Sequence, residues 1–235
     1  MLIIFDCDGV LVDSELLGAK VFSDTLADFG FAMSAEACFE RFKGWTLSAC
    51  YEWLAPQMGG SLPPAFAGAL KANTKARFSA ELTAVDGVEA LLQQLRQRGK
   101  SYCVASNGGH AKIANSLKAC ELAPYFSSRQ RFSAEDVSSG KPDPALFLYA
   151  AESMGVPADF CWVIEDSLTG ARAAKAAGMK LVFYCETGEA PEALAALEPE
   201  FVARSMSELQ NMLGFSSTYN KNSTTVREVK EQKDV

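Results

Sequence analysis

The apolar positions of this chain fall into short continuous runs, separated by longer stretches in which they recur every three or four residues. Leu2-Ile3-Ile4-Phe5 is such a run and ends at acids, which predicts a buried strand. Tyr102-Cys103-Val104-Ala105, Cys161-Trp162-Val163-Ile164 and Leu181-Val182-Phe183-Tyr184 have the same form. Between them the spacing is helical. Leu91, Leu92 and Leu95 share one side of a predicted helix over 88–98 that Gly99 stops. Further helices are predicted over 111–120, from Pro144 in a first turn to Gly155, and over the Ala-rich 167–177 that Gly178 stops. A shorter strand–helix unit follows near Phe201 and 206–213. This alternation predicts an α/β fold, a Rossmann-like parallel sheet covered by helices on both faces.

One stretch breaks the alternation. Residues 14–80 contain only helical patterns, cut by Gly30, Gly44, Pro56, Gly59-Gly60 and Pro63-Pro64. They predict a small all-helical cap domain inserted after strand 1, with 1–13 and 81–215 forming the core domain. Residues 216–235 are polar with few apolar positions, which predicts a disordered tail.

Composition narrows the function classes. With 49% apolar and 22% charged residues the chain is ordinary globular protein. A net charge of −7 repels a phosphate backbone, so no nucleic-acid partner is expected. No apolar run reaches the roughly 18 residues of a membrane span. Met1-Leu2-Ile3-Ile4-Phe5 also lacks the basic start of a secretory signal. The 7 cysteines are odd in number, form no CxxC pair and lie partly in apolar runs, as reduced thiols of a cytoplasmic protein would. His110 is the 1 histidine, which excludes zinc sites built on two or more imidazoles. Chemistry here falls to carboxylates.

In such a sheet, ligands bind outside the carboxyl ends of the strands. Asp6, Asp8 and Gly9 follow the first strand, and Ser106 and Asn107 follow the second. Lys141-Pro142-Asp143-Pro144 lies beyond the next segment, and Glu165-Asp166-Ser167 follows the third strand. Asp6, Asp8 and Asp166 in one crevice would repel one another, and a hard divalent ion, best Mg²⁺, removes that conflict. Together with a lysine, a hydroxyl and backbone N–H groups it makes a cradle for a phosphoryl group. One carboxylate is then free to attack phosphorus, and a second, two residues on, can protonate the leaving oxygen and later deprotonate water. Taken singly, these residues read as turns, helix caps and a solvated lysine. The weight lies in four such elements occurring together and in this order.

Those four elements resemble the haloacid dehalogenase-like hydrolase superfamily. Asp6-Cys7-Asp8-Gly9-Val10-Leu11-Val12-Asp13-Ser14 resembles its first motif, and Ser106-Asn107, Lys141 and Glu165-Asp166 resemble the second, third and fourth. The likeness spans residues 1–213, including the helical cap after the first motif. It implies Asp6 as nucleophile and Mg²⁺ ligand, and Asp8 as acid/base that binds Mg²⁺ through its backbone carbonyl. It further implies Ser106, Asn107 and Lys141 as phosphate-binding residues and Asp166 as a metal ligand, with Glu165 ligating the metal or orienting its waters.

True dehalogenases of the superfamily lack the second aspartate, so the presence of Asp8 favours phosphoryl chemistry. The cap and the Asp-Gly-Val and Glu-Asp-Ser variants resemble the β-phosphoglucomutase/sugar-phosphatase subgroup. Mutases there carry a histidine four residues past the position of Ser14, where this chain has Gly18, which favours water as the second acceptor. Arg41-Phe42-Lys43-Gly44 and Lys141-Pro142-Asp143-Pro144-Ala145 are similar to bacterial 6-phosphogluconate phosphatase-like members. Arg41, Lys43 and Trp45 are the cap residues expected to face the substrate. The expected protein is a monomeric, cytoplasmic Mg²⁺-dependent phosphatase of a small phosphorylated metabolite. The alternative is a sugar-phosphate mutase.

Overall fold

Successive residues of a strand face opposite sides of a sheet, and the strand β1 (Leu2–Phe5) is apolar at every position because both of its faces are covered. Ile3 and Phe5 enter one core, and Leu2 and Ile4 the other. The computed structural model describes residues 1–42, 45, 47–186 and 189–214. In it β1 lies in the middle of a 6-stranded parallel sheet with β2 (Ser101–Ser106), β3 (Arg131–Ser133), β4 (Cys161–Glu165), β5 (Lys180–Tyr184) and β6 (Phe201–Ala203), in the order β3-β2-β1-β4-β5-β6. The chain runs outward on one side of β1 to β3, then returns to β4 on the other side. β1 is therefore the point where the strand order reverses, and the crevice for a ligand opens at the carboxyl ends of β1, β2 and β4.

The helices α5 (Val88–Gln97), α6 (His110–Ala119) and α9 (Met206–Met212) cover one face of the sheet. α7 (Ala145–Ser153) and α8 (Leu168–Ala176) cover the other. Small side chains bring α8 close to the sheet, with Ala171, Ala173 and Ala174 all fully buried.

Four helices stand between β1 and α5, namely α1 (Ser14–Asp28), α2 (Ala35–Phe42), α3 (Leu47–Leu54) and α4 (Phe66–Glu81). They bury a core of their own that includes Val21, Phe22, Leu26, Leu54, Phe66 and Leu70. The Phe22 ring meets Phe42 and Phe66 edge-on at centroid distances of 5.3 and 6.0 Å, an arrangement aromatic quadrupoles favour. α4 also packs against α6, which ties this insert to the sheet.

Predicted and observed helices agree to within a residue or two at their ends. β3 is an addition. Its three residues at the sheet edge, Arg131-Phe132-Ser133, are too few to show a period, and Phe132 alone supplies an apolar signal. The predicted tail, 216–235, lies outside the described residues. Among the described residues no helix is long and apolar enough to cross a membrane.

Candidate active site

Backbone hydrogen bonding presents the first acids to the crevice. The Asp6 amide donates to Ile164 O at 2.9 Å, which carries β1–β4 pairing to the end of the strand, and the Leu11 and Val12 amides fold back onto Cys7 O at 3.0 Å. Gly9 takes φ +79 in this turn, and a Cβ there would lie 2.0 Å from Asp166 Oδ2. Only glycine lets the first loop approach the fourth this closely.

Lys141 is the electrostatic centre. It is 8% exposed, and its Nζ donates to Asp6 Oδ1 at 2.5 Å and to Glu165 Oε2 at 2.8 Å, above the Phe147 ring. Burial works against its charge, but the Asp6 and Glu165 carboxylates outweigh burial and hold the ammonium well above its ordinary pKa. Asn107 fixes the backbone of Lys141 from both sides. Its Oδ1 accepts from the Lys141 amide at 2.8 Å, and its Nδ2 donates to Lys141 O at 3.0 Å. The Asn107 side chain thus positions the lysine. Ser106, 2% exposed at the end of β2, has its Oγ on the Gly108 amide at 3.0 Å.

Both oxygens of Glu165 accept from protein groups. Besides Lys141 it accepts from the Ser167 amide at 3.2 Å and the Ser167 hydroxyl at 2.6 Å, while Ser167 Oγ caps α8 by accepting from the Gly170 amide at 3.0 Å. A Cβ on Gly170 would lie 2.0 Å from Glu165 Cδ. Gly170→Ala is therefore expected to push Glu165 off Lys141 and to cost about 1–3 kcal/mol of stability, as overpacking a closed site does. A chemical-denaturation midpoint unchanged from wild type would show that the carboxylate has room to move.

Oxygens of Asp6, Glu165 and Asp166 all lie within 4.8 Å of one another. Burial, reinforced by Glu165, raises the Asp6 pKa to about 7, and Lys141 only partly offsets this. Burial, Glu165 and then Asp6 likewise push Asp166 well up. Three carboxylates therefore face one ammonium, and this surplus of negative charge, made of hard oxygen donors, suits a divalent cation such as Mg²⁺. Each of Asp6, Glu165 and Asp166 offers an oxygen to such an ion.

Asp8 faces the same space as Asp6 and Glu165. Its Oδ2 accepts from Lys112 Nζ at 2.6 Å, and its Oδ1 is buried with no hydrogen-bond partner. Asp6, Asp8, Lys112, Lys141 and Glu165, with Ser106, Thr169 and Trp45, line a chamber of about 430 Å³, whose lining does not include Asp166. The sequence family described as haloacid dehalogenase-like hydrolase matches residues 3–184, which contain this whole constellation.

The chain belongs to the haloacid dehalogenase-like hydrolase family. It is 34% identical over 184 residues to the 6-phosphogluconate phosphatase of Escherichia coli (strain K12), a match covering 78% of this chain and 81% of that protein. It is 29% identical to the fructose-1-phosphate phosphatase of the same organism, over 77% of this chain and 94% of that one. Among solved structures, a haloacid dehalogenase family hydrolase from Deinococcus radiodurans R1 with bound phosphate and sodium superposes with a TM-score of 0.81 at 31% identity, covering 91% of this chain and 94% of that one. Membership and these relatives make the chain a phosphomonoesterase.

The family's four motifs meet in one place here, with Asp6, Asp8, Ser106, Asn107, Lys141 and Glu165 all lining the chamber. Of the three residues expected from the helical insert, Trp45 lines it too. Arg41 is not among the lining residues, and its guanidinium lies over the Trp53 ring at 5.3 Å. Lys43 lies outside the described residues. Sequence reading missed Lys112. Inside a helical pattern it reads as a solvated lysine, and its place six residues beyond Ser106, in the first turn of the following helix, is the available signal.

Proposed function

We propose that this protein hydrolyses a sugar phosphate or sugar-acid phosphate with the help of Mg²⁺, through a phosphorylated Asp6. The carrying observation is the cluster of Asp6, Glu165 and Asp166 at the carboxyl ends of β1 and β4, with the buried Lys141 bonded to the first two. Bound there, Mg²⁺ would neutralise the acids and the incoming phosphate.

Asp6 carries the attacking oxygen, and its bond to phosphorus forms as the bond from phosphorus to the alcohol oxygen breaks. The Asp8 carboxyl, whose Oδ1 has no partner within the protein, gives its proton to that oxygen. Asp8 then takes a proton from water, whose oxygen displaces Asp6 and yields inorganic phosphate. Lys141 and the Ser106 hydroxyl bind phosphoryl oxygens, and Asn107 keeps Lys141 in place. The helical insert acts as a cap that closes over the chamber, with Trp45 covering the leaving group. Gly18 supports water rather than a second sugar as acceptor, because an imidazole is missing where the mutases carry one. The names of the bacterial relatives support the sugar-phosphate class, and the protein is read as a cytoplasmic monomer.

The test is phosphate release from a panel including 6-phosphogluconate, hexose phosphates and phosphoglycolate, before and after chelation. Release is expected to concentrate on one or two sugar compounds, to fall at least about 100-fold with EDTA, and to return with Mg²⁺. Undiminished release in EDTA would remove the cation from the reaction.

A further inference from the structure

The turn after β1 fixes the backbone of Asp8 but not its carboxyl group. Asp8 bridges to Val12, and the Gly9 amide donates to Val12 O at 2.8 Å. The last torsion of an aspartate is broad, however, and an outside contact has to settle it. Lys112 supplies that contact. Its Nζ donates to Asp8 Oδ2 at 2.6 Å, while Oδ1 is buried and accepts from no protein group. Two local features are accounted for by this bond. Lys112 stands in the first turn of α6, where the helix dipole disfavours a cation, and the Asp8 carboxylate offsets that cost. Gly108 is not held in a left-handed turn, so backbone freedom is not what its place requires. A Cβ there would lie 3.0 Å from Lys112 Cδ and 3.7 Å from its Cγ. The lysine stem therefore passes close over a bare backbone on its way to Asp8.

We propose that Lys112 is a positioning residue for proton transfer, which holds Asp8 by Oδ2 and so presents Oδ1 to the oxygen that leaves. This rests on the phosphatase reading above. In the first step the proton passes from Asp8 to the alcohol oxygen as the bond from that oxygen to phosphorus breaks. In the second it returns to Asp8 from the attacking water. General acid–base help of this kind contributes about 10²- to 10⁴-fold, and misplacing a reacting group by about 1 Å can cost about 100-fold. A carboxyl left to swivel should therefore lose much of its effect. Leaving groups differ in how far they depend on it. A sugar alkoxide is too basic to depart without a proton, whereas 4-nitrophenolate is stable as an anion and departs unaided. Loss of Lys112 should thus be felt with one ester and not with the other.

The test measures release of the alcohol in a single turnover, with Mg²⁺-loaded enzyme in excess over ester. The esters are the best sugar phosphate of the panel and 4-nitrophenyl phosphate. Lys112→Met is expected to slow release from the sugar phosphate by about 10- to 100-fold and to change release of 4-nitrophenolate by less than about threefold. In steady state it should leave KM for the sugar phosphate within about twofold. Lys112→Arg, which keeps a donor for Asp8, should recover most of the loss. In an Asp8→Asn background Lys112→Met should cost less than about twofold more, because a residue that acts through Asp8 then has nothing left to position. Should Lys112→Met not fold, Lys112→Gln, uncharged and one atom shorter, carries the same comparison. Equal losses on both esters, or a raised KM at unchanged kcat, would make Lys112 a ligand of the substrate and overturn the positioning role. An undiminished further loss in the Asp8→Asn background would overturn it too. In all these cases the wild type still turns over, and the phosphatase reading stands. A wild type that releases neither alcohol overturns that reading, and the role of Lys112 with it.

Discussion

Asp6→Asn is expected to lower phosphate release by about 10⁴-fold or more while leaving the fold intact. The carboxamide matches the carboxylate in shape but is no nucleophile, and losing a covalent nucleophile costs about this much or more in other hydrolases. Folding should survive for reasons visible around Lys141. The Asn Oδ1 can still accept from Lys141 Nζ, which retains its bond to Glu165 at 2.8 Å. The change also removes one of three clustered, mutually repelling acids, so the metal-free variant should melt no lower than metal-free wild type. Two measurements check this, a single-turnover assay on the best substrate of the panel and a thermal melt. Activity near wild type would remove Asp6 from the nucleophile role. Lost activity with a lowered melting temperature would instead mean that the carboxylate holds the site together.

The parts of this site legible in the sequence are those set by strand ends. An apolar run of four residues followed by acids reveals both a buried strand and what stands at its carboxyl end, and this is why Asp6, Ser106 and Glu165 could be placed together before any geometry was known. What side chains do across the chain was not legible. Asn107 reads as one of the phosphate-binding residues, yet both ends of its amide are on the backbone of Lys141, 34 positions away. Glu165 reads as a metal ligand or an orienter of its waters, and its further bonds to Lys141 and Ser167 are ones no local pattern encodes. Lys112 joins Asp8 across 104 positions, a contact that no local period encodes. The insert was legible as helices but not as walls. Helical spacing makes Phe22, Phe42 and Phe78 plain core residues, whereas the helices pack far enough apart to leave a cavity among them.

Lys141→Met tests the electrostatic centre and carries the largest expected cost in stability. Methionine keeps much of the length and apolar stem but removes the charge, stranding Asp6 and Glu165 in a site where Lys141 is the cation that touches both. Removing one partner of a buried ion pair typically costs about 3–5 kcal/mol, because the remaining charge stays desolvated. A comparable loss is expected here from the shift in chemical-denaturation midpoint of the metal-free protein. Activity should fall by about 100- to 1000-fold as well, since the ammonium also meets the phosphoryl group. Mg²⁺ should recover part of the lost stability in the variant, because the acids that would hold it are still present. Combining Lys141→Met with Asp6→Asn separates charge from packing. If repulsion among the stranded acids dominates, Asp6→Asn will stabilise the Lys141→Met protein by more than it changes the wild type, with a coupling energy of about 0.5–3 kcal/mol. If the two effects simply add, the lysine's contribution comes from its packing over Phe147, and the charge account of the site fails.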